Sequence, residues 1–200
     1  MPSRDEIVQS LIGAWRLFLD RSDAMRYFNV SVDGFWRSFY AIIFILPAYF
    51  FIALAERRRI QADSLPDDFD GSAFIVNKGL SLALDWVTLP IVLALFAGVL
   101  GIGRAYAQFI VARNWGAVLA IAPFGVVALL FLLGILGSDF ANIVSLVILV
   151  VVVRFNYLIA RRALGADVGF AVGIVVADFV ISLAIVGAVD SLIAYRSSVL

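Results

Sequence analysis

The chain has 200 residues, of which 64% are hydrophobic, and its fifteen basic and fifteen acidic side chains leave no net charge. A soluble domain is about half apolar, so this composition points to a membrane protein. The absence of Cys and His excludes disulfides, thiol chemistry, iron–sulfur clusters and imidazole-held haem or zinc, and it removes the commonest general base.

Residues 1–33 read as an N-terminal segment on the cytoplasmic surface. Ser3-Arg4-Asp5-Glu6 has capping-box spacing. Ile7, Leu11, Trp15 and Phe18 follow at helical intervals beside Val8, Ile12 and Leu19, and Arg16, Asp20 and Arg21 form polar edges. This pattern predicts an amphipathic surface helix ending near Asp20, then a short helical turn over 22–28. No signal-type hydrophobic core occupies the first 36 residues, so the first span is expected to direct insertion.

Five apolar stretches follow, at about 35–55, 80–103, 116–137, 140–160 and 168–189. Each is close to the ~20 residues that cross hydrocarbon as a helix. Asp33 is placed to cap the first span, which contains Pro47 and closes at Glu56-Arg57-Arg58-Arg59. An acidic loop carries Asp63, Asp67, Asp68 and Asp70, without the spacing of a calcium loop. The second span holds Asp85 and Pro90, and the amphipathic stretch 104–114 prolongs it into the interface. The third span holds Pro123 and the fourth Arg154, with a tight turn at Ser138-Asp139 between them. The fifth holds Asp178 and Ser182. The predicted fold is all-α: a polytopic transmembrane bundle over 34–195, with a short tail at 196–200. Transmembrane strands would alternate apolar and polar residues, and the run 150–153 does not.

Basic residues set the expected threading. The N-terminal segment through Arg37, with the second and fourth loops, carries nine, and the opposite side carries five, including the Arg57–Arg59 triplet. This favours the N-terminus inside and the C-terminus outside. Fourteen Arg against one Lys fits a GC-rich bacterial genome, hence a bacterial inner membrane.

Three charged residues, Asp85, Arg154 and Asp178, fall clearly inside the spans, where charge is costly and marks candidate function. Asp178 lies near the middle of the fifth span. Arg154, about 9 Å into the fourth, is predicted to pair with it across an antiparallel hairpin. Ser182 shares the face of Asp178 at i+4. Snorkelling of Arg154 to the surface is the competing arrangement. Asp85, beside Trp86 near the end of its span, reads as an interfacial residue.

Two further patterns recur. Gly165, Gly169, Gly173 and Ala177 make a small-residue ridge suited to close helix packing. Residues 13–18 and 34–39 both read G-x-W-R-x-F. Their Trp15, Arg16, Trp36 and Arg37 suit the headgroup region as interfacial anchors. No P-loop, dinucleotide fingerprint, G-x-S-x-G or metal-ligand cluster occurs, so neither a catalytic residue nor a cofactor is expected.

Five spans after an amphipathic segment, with Ala160-Arg161-Arg162-Ala163-Leu164-Gly165 leading through Ala171 into the last span and a short tail after it, resemble the Yip1-like membrane proteins. The resemblance covers about residues 35–195 in layout. The Asp-Leu-Tyr-Gly-Pro-type signature of eukaryotic members is missing. It implies a non-enzymatic membrane adaptor or organiser that binds other membrane proteins or lipids. The alternative from the embedded charges is a small oligomeric transporter or channel subunit using Asp178.

Overall fold

A computed structural model describes residues 1–63 and 71–199. It is helical, with no strand among the described residues: α1 (Arg4–Phe18), a 3-10 turn (Ala24–Tyr27), α2 (Val32–Ser38), α3 (Ala41–Asp63), α4 (Gly71–Phe96), α5 (Tyr106–Leu132), α6 (Ser138–Leu164) and α7 (Val168–Val199). Five helical stretches are long and apolar enough to cross a membrane: 32–62 and the helices α4, α5, α6 and α7. Their outward faces carry large apolar side chains, among them Phe50, Leu95, Leu146, Val150 and Phe179. Such a surface is stable against hydrocarbon and not against water. The chain is an integral membrane protein whose outer surface meets lipid.

Helix ends follow local chemistry. The Ser3 hydroxyl accepts from the Glu6 amide at 3.1 Å, as the capping box requires. For α2 the cap is Ser31, not Asp33: its Oγ accepts from the Gly34 amide at 3.1 Å. The bend at Phe39–Tyr40 is bridged by short-range backbone bonds, so α2 leads directly into α3. Gly165 ends α6 in the left-handed conformation, φ 62°, and the Asp167 carboxylate accepts from the Phe170 amide to start α7.

Three boundaries differ from the sequence expectation. Helix α4 starts at Gly71, well before position 80, and it ends at Phe96 ahead of a turn in which Gly101 has φ 68°. The stretch 104–114 does not prolong α4, because α5 begins at Tyr106 and absorbs it. Helix α7 runs through the stretch read as a tail. The acidic loop from Asp67 to Asp70 lies outside the described residues.

The five spans form a ring in the order α3, α5, α6, α7, α4, with α4 closing loosely onto α3. Small residues permit the closest approach. A Cβ on Gly125 of α5 would lie 2.6 Å from Ala48 Cβ and 2.8 Å from Ala48 Cα of α3. The packing ridge expected on α7 behaves differently. Gly165 belongs to the α6 cap, Gly173 has nothing within 4 Å of a built Cβ, and Gly169 and Ala177 are exposed. That ridge packs against no other helix among the described residues.

Helix α1 docks on α5, α6 and the 3-10 turn, with Ser10, Gly13, Ala14 and Leu17 all buried. The two hexapeptides prove structurally equivalent. In each, the Gly sits under a neighbour: Gly13 against Tyr27 and Phe28, Gly34 against Asn29. In each, the Trp faces outward, Trp15 at 53% and Trp36 at 65% exposure. In each, the Arg is held by a carboxylate. Arg16 pairs with Asp23 at 2.5 Å, and Arg37 pairs with Glu6 at 3.1 Å. The hydrogen bond from Arg16 holds the Asp23 carboxyl below its ordinary value and raises the guanidinium in turn. Both arginines therefore tie the N-terminal segment together through carboxylates of the same segment.

Candidate functional site

A cavity of about 290 Å³ lies inside the ring and is lined by all five spans. Its polar wall is Tyr49 from α3, Asp85 and Trp86 from α4, Arg113 from α5, Asn156 from α6 and Asp178 from α7. An adjoining pocket of about 230 Å³ shares Tyr49 and Asp85 and adds Ser81 and Ser182.

Two carboxylates and one guanidinium face this space. Arg113 Nη2 lies 3.1 Å from Asp178 Oδ1, and the side chains are 13% and 25% exposed. Ion pairing there lowers the penalty of burying either charge. Asp85 is held differently: the Ser182 hydroxyl donates to its Oδ1. No cation pairs with Asp85 among the described residues. Measured along the helix axes, Arg113 lies about 10 Å from the start of α5 and Asp178 about 15 Å from the start of α7. Asp85 lies about 16 Å from the α4 end on that same side.

Helical rotation explains the set. Asp178 and Ser182 are four apart on α7, so one face of that helix addresses both Arg113 and Asp85. Tyr49 is anchored by donating its hydroxyl to the Lys78 carbonyl at 2.9 Å. Near the far end, Lys78 Nζ pairs with Glu56 at 2.6 Å, tying α3 to α4 where the ring is loosest. Two buried polar atoms flank Asp85 on α4 and have no hydrogen-bond partner among the described residues: Ser81 Oγ and Trp86 Nε1. Orphaned polar groups beside a cavity of this size suit water or a polar ligand.

The structure corrects the expected site in three respects. Arg154 does not meet Asp178. It is exposed, and its Nη1 donates to the Phe18 carbonyl at 3.3 Å. The surface position prevails because Arg154 and Asn156 lie two residues apart, roughly 200° round the helix, and it is Asn156 that turns inward. Asp85 leaves the interface for the cavity, where it meets the expected Ser182. Arg113, Asn156 and Tyr49 are site residues that sequence reasoning missed. For Arg113 the available signal was that α5, started at Tyr106, places it inside a span.

No group of three or more metal-ligating side chains occurs among the described residues. No protein-family model, curated protein or solved structure matches the chain.

Proposed function

We propose that this membrane protein binds a proton or small monovalent cation in the cavity between its spans and passes it across the bilayer. One observation carries the proposal. Asp178 has a guanidinium partner, whereas Asp85 lines the same cavity with a hydroxyl donor and no cation among the described residues. A carboxylate in a span without a cationic partner is the usual mark of an ion or proton path. Ser81 and Trp86 add polar groups that water in the cavity and its adjoining pocket would satisfy. Arg113–Asp178 then acts as a fixed internal pair that holds α5 to α7, with Asp85 as the exchanging group. With the N-terminus inside the cell, the Asp85–Asp178 level lies nearer the cytoplasmic face.

Proteoliposomes containing a pH-sensitive dye test this reading. A pH gradient, with a potassium potential clamped by valinomycin, should dissipate faster with the native protein than with empty vesicles. Asp85→Asn should reduce that rate at least tenfold while leaving the protein folded. Native flux equal to empty vesicles for protons, sodium and potassium alike would refute the proposal.

A second reading has its own observation. The Gly169–Gly173–Ala177 face of α7 is open, and small-residue faces let helices of separate chains approach closely. This supports a non-enzymatic adaptor that associates with itself or with other membrane proteins, as the Yip1-like layout implies. Oligomers without flux would favour it.

A further inference from the structure

A second cavity of about 290 Å³ opens between α1, α5 and α6 on the outer flank of the bundle. Its lining is apolar throughout and includes Trp15, Phe18, Leu119, Pro123, Val151 and Phe155. Trp15 stacks on Phe18 at 5.3 Å between ring centres, and Phe18 meets Phe155 edge-on at 5.6 Å. The groove continues into an exposed apolar stripe on α1, made by Val8, Ile12, Trp15 and Leu19 at helical spacing. That stripe lies opposite the face docked on the bundle. Helix α1 is thus apolar both toward the protein and away from it, which suits a helix lying in the membrane interface.

The groove carries a cation at its Phe18 end. Arg154 follows Val151 by three residues, and one of its guanidinium nitrogens donates to the Phe18 carbonyl at the end of α1. Arg161 stands two turns further along α6, donating to Tyr157 Oη at 3.0 Å and lying 6.0 Å from the ring centre. Neither arginine has a carboxylate partner among the described residues. By contrast, Arg16, Arg37, Arg113 and Arg162 each have one. Arg154 lies sixteen residues from the start of α6, about 24 Å along its axis, so it approaches the far edge of a ~30 Å hydrocarbon core. A guanidinium at that level, with N–H groups beyond the one bonded to Phe18, is built to hold a phosphate in its planar fork.

We infer that this groove is a binding site for one anionic glycerophospholipid, with an acyl chain between α1, α5 and α6 and the phosphate on Arg154 and Arg161. The apolar lining selects the chain, and the two uncompensated cations select a headgroup of net negative charge. The groove shares Ala120 and Val152 with the wall of the central cavity, but the inference uses neither Asp85 nor the Arg113–Asp178 pair.

Native mass spectrometry of the detergent-purified full chain tests it, with dioleoyl phosphatidylglycerol and dioleoyl phosphatidylcholine offered at equal concentration. The expected result is one tightly held phosphatidylglycerol per chain, retained about tenfold over phosphatidylcholine. Arg154→Ala together with Arg161→Ala should abolish that preference, and both positions are exposed, so folding should persist. Val151→Trp, which fills the groove, should displace the lipid while leaving the two arginines in place. Equal retention of both lipids, no retained lipid, or a phosphatidylglycerol preference that survives both variants would overturn the inference. A protein copurifying in the groove in place of lipid would overturn it as well.

Discussion

Arg113→Ala should destabilise the protein by about 2–3 kcal/mol, because it leaves Asp178 without its cation inside the bundle. Breaking a fully buried pair costs about 3–5 kcal/mol. The lower figure reflects side chains 13% and 25% exposed that face a cavity with room for water. Asp178→Asn combined with Arg113→Ala should recover most of the loss, since the stranded charge is then gone. A double-mutant cycle in mild detergent, followed by thermal unfolding, measures the coupling. Arg154→Ala provides the contrast. Its effect should stay within about 1 kcal/mol, the scale of one net hydrogen bond, and should add to that of Asp178→Asn without coupling. Coupling of Asp178 to Arg154, and none to Arg113, would contradict the geometry of the site.

The second large effect is expected where α3 and α5 cross. Gly125→Ala introduces a Cβ 2.6 Å from that of Ala48, with the Ala48 backbone 2.8 Å away, so neither side can yield by rotating a side chain. The helices must separate, which typically costs about 1–3 kcal/mol, and Gly125→Leu should exceed that. Gly173→Ala on α7 meets nothing within 4 Å and gains helix propensity, so its stability should be unchanged or slightly higher. Unfolding of the three variants in one detergent gives the ranking. Gly125→Ala as stable as the native chain would mean that the helices do not cross there.

These contrasts indicate what the sequence made legible. Long apolar runs report the number of spans directly, because hydrocarbon demands them, and the all-helical five-span bundle is visible that way. Capping chemistry at Ser3 was equally local and equally readable. Boundaries were harder. The stretch 104–114 contains Arg104, Gln108, Arg113 and Asn114, and its mixed character resembles an interface. In the fold, Gly101 turns the chain and α5 starts at Tyr106, which carries Arg113 into the bundle. That one shift hid the partner of Asp178.

Helix rotation was the second obstacle. Arg154 and Asp178 sit on neighbouring antiparallel helices, and sequence order alone makes them natural partners. Which face of α6 turns inward depends on packing with α1 and α5, settled by bulk at Phe155 and Ile159. Small-residue periodicity has the same weakness. It says that backbones can meet without saying which do, so the α7 ridge stands open while Gly125 and Ala48 touch. The paired G-x-W-R-x-F segments suit lipid anchors, and their tryptophans do face outward. Their arginines are already engaged by Asp23 and Glu6, contacts that no local spacing discloses.

The proposal that Asp85 is a cation-exchanging group in a water-filled cavity can be probed without background, since the native chain has no Cys. A single cysteine at Ala117, on the cavity wall, is labelled in proteoliposomes with a small water-soluble thiol reagent, and its rate is followed as sodium or potassium replaces a bulky organic cation. Labelling that is fast, slowed by one of the small cations, and made insensitive to it by Asp85→Asn is the predicted result. A cysteine there that stays unreactive, as a residue packed in a dry core would, contradicts the account.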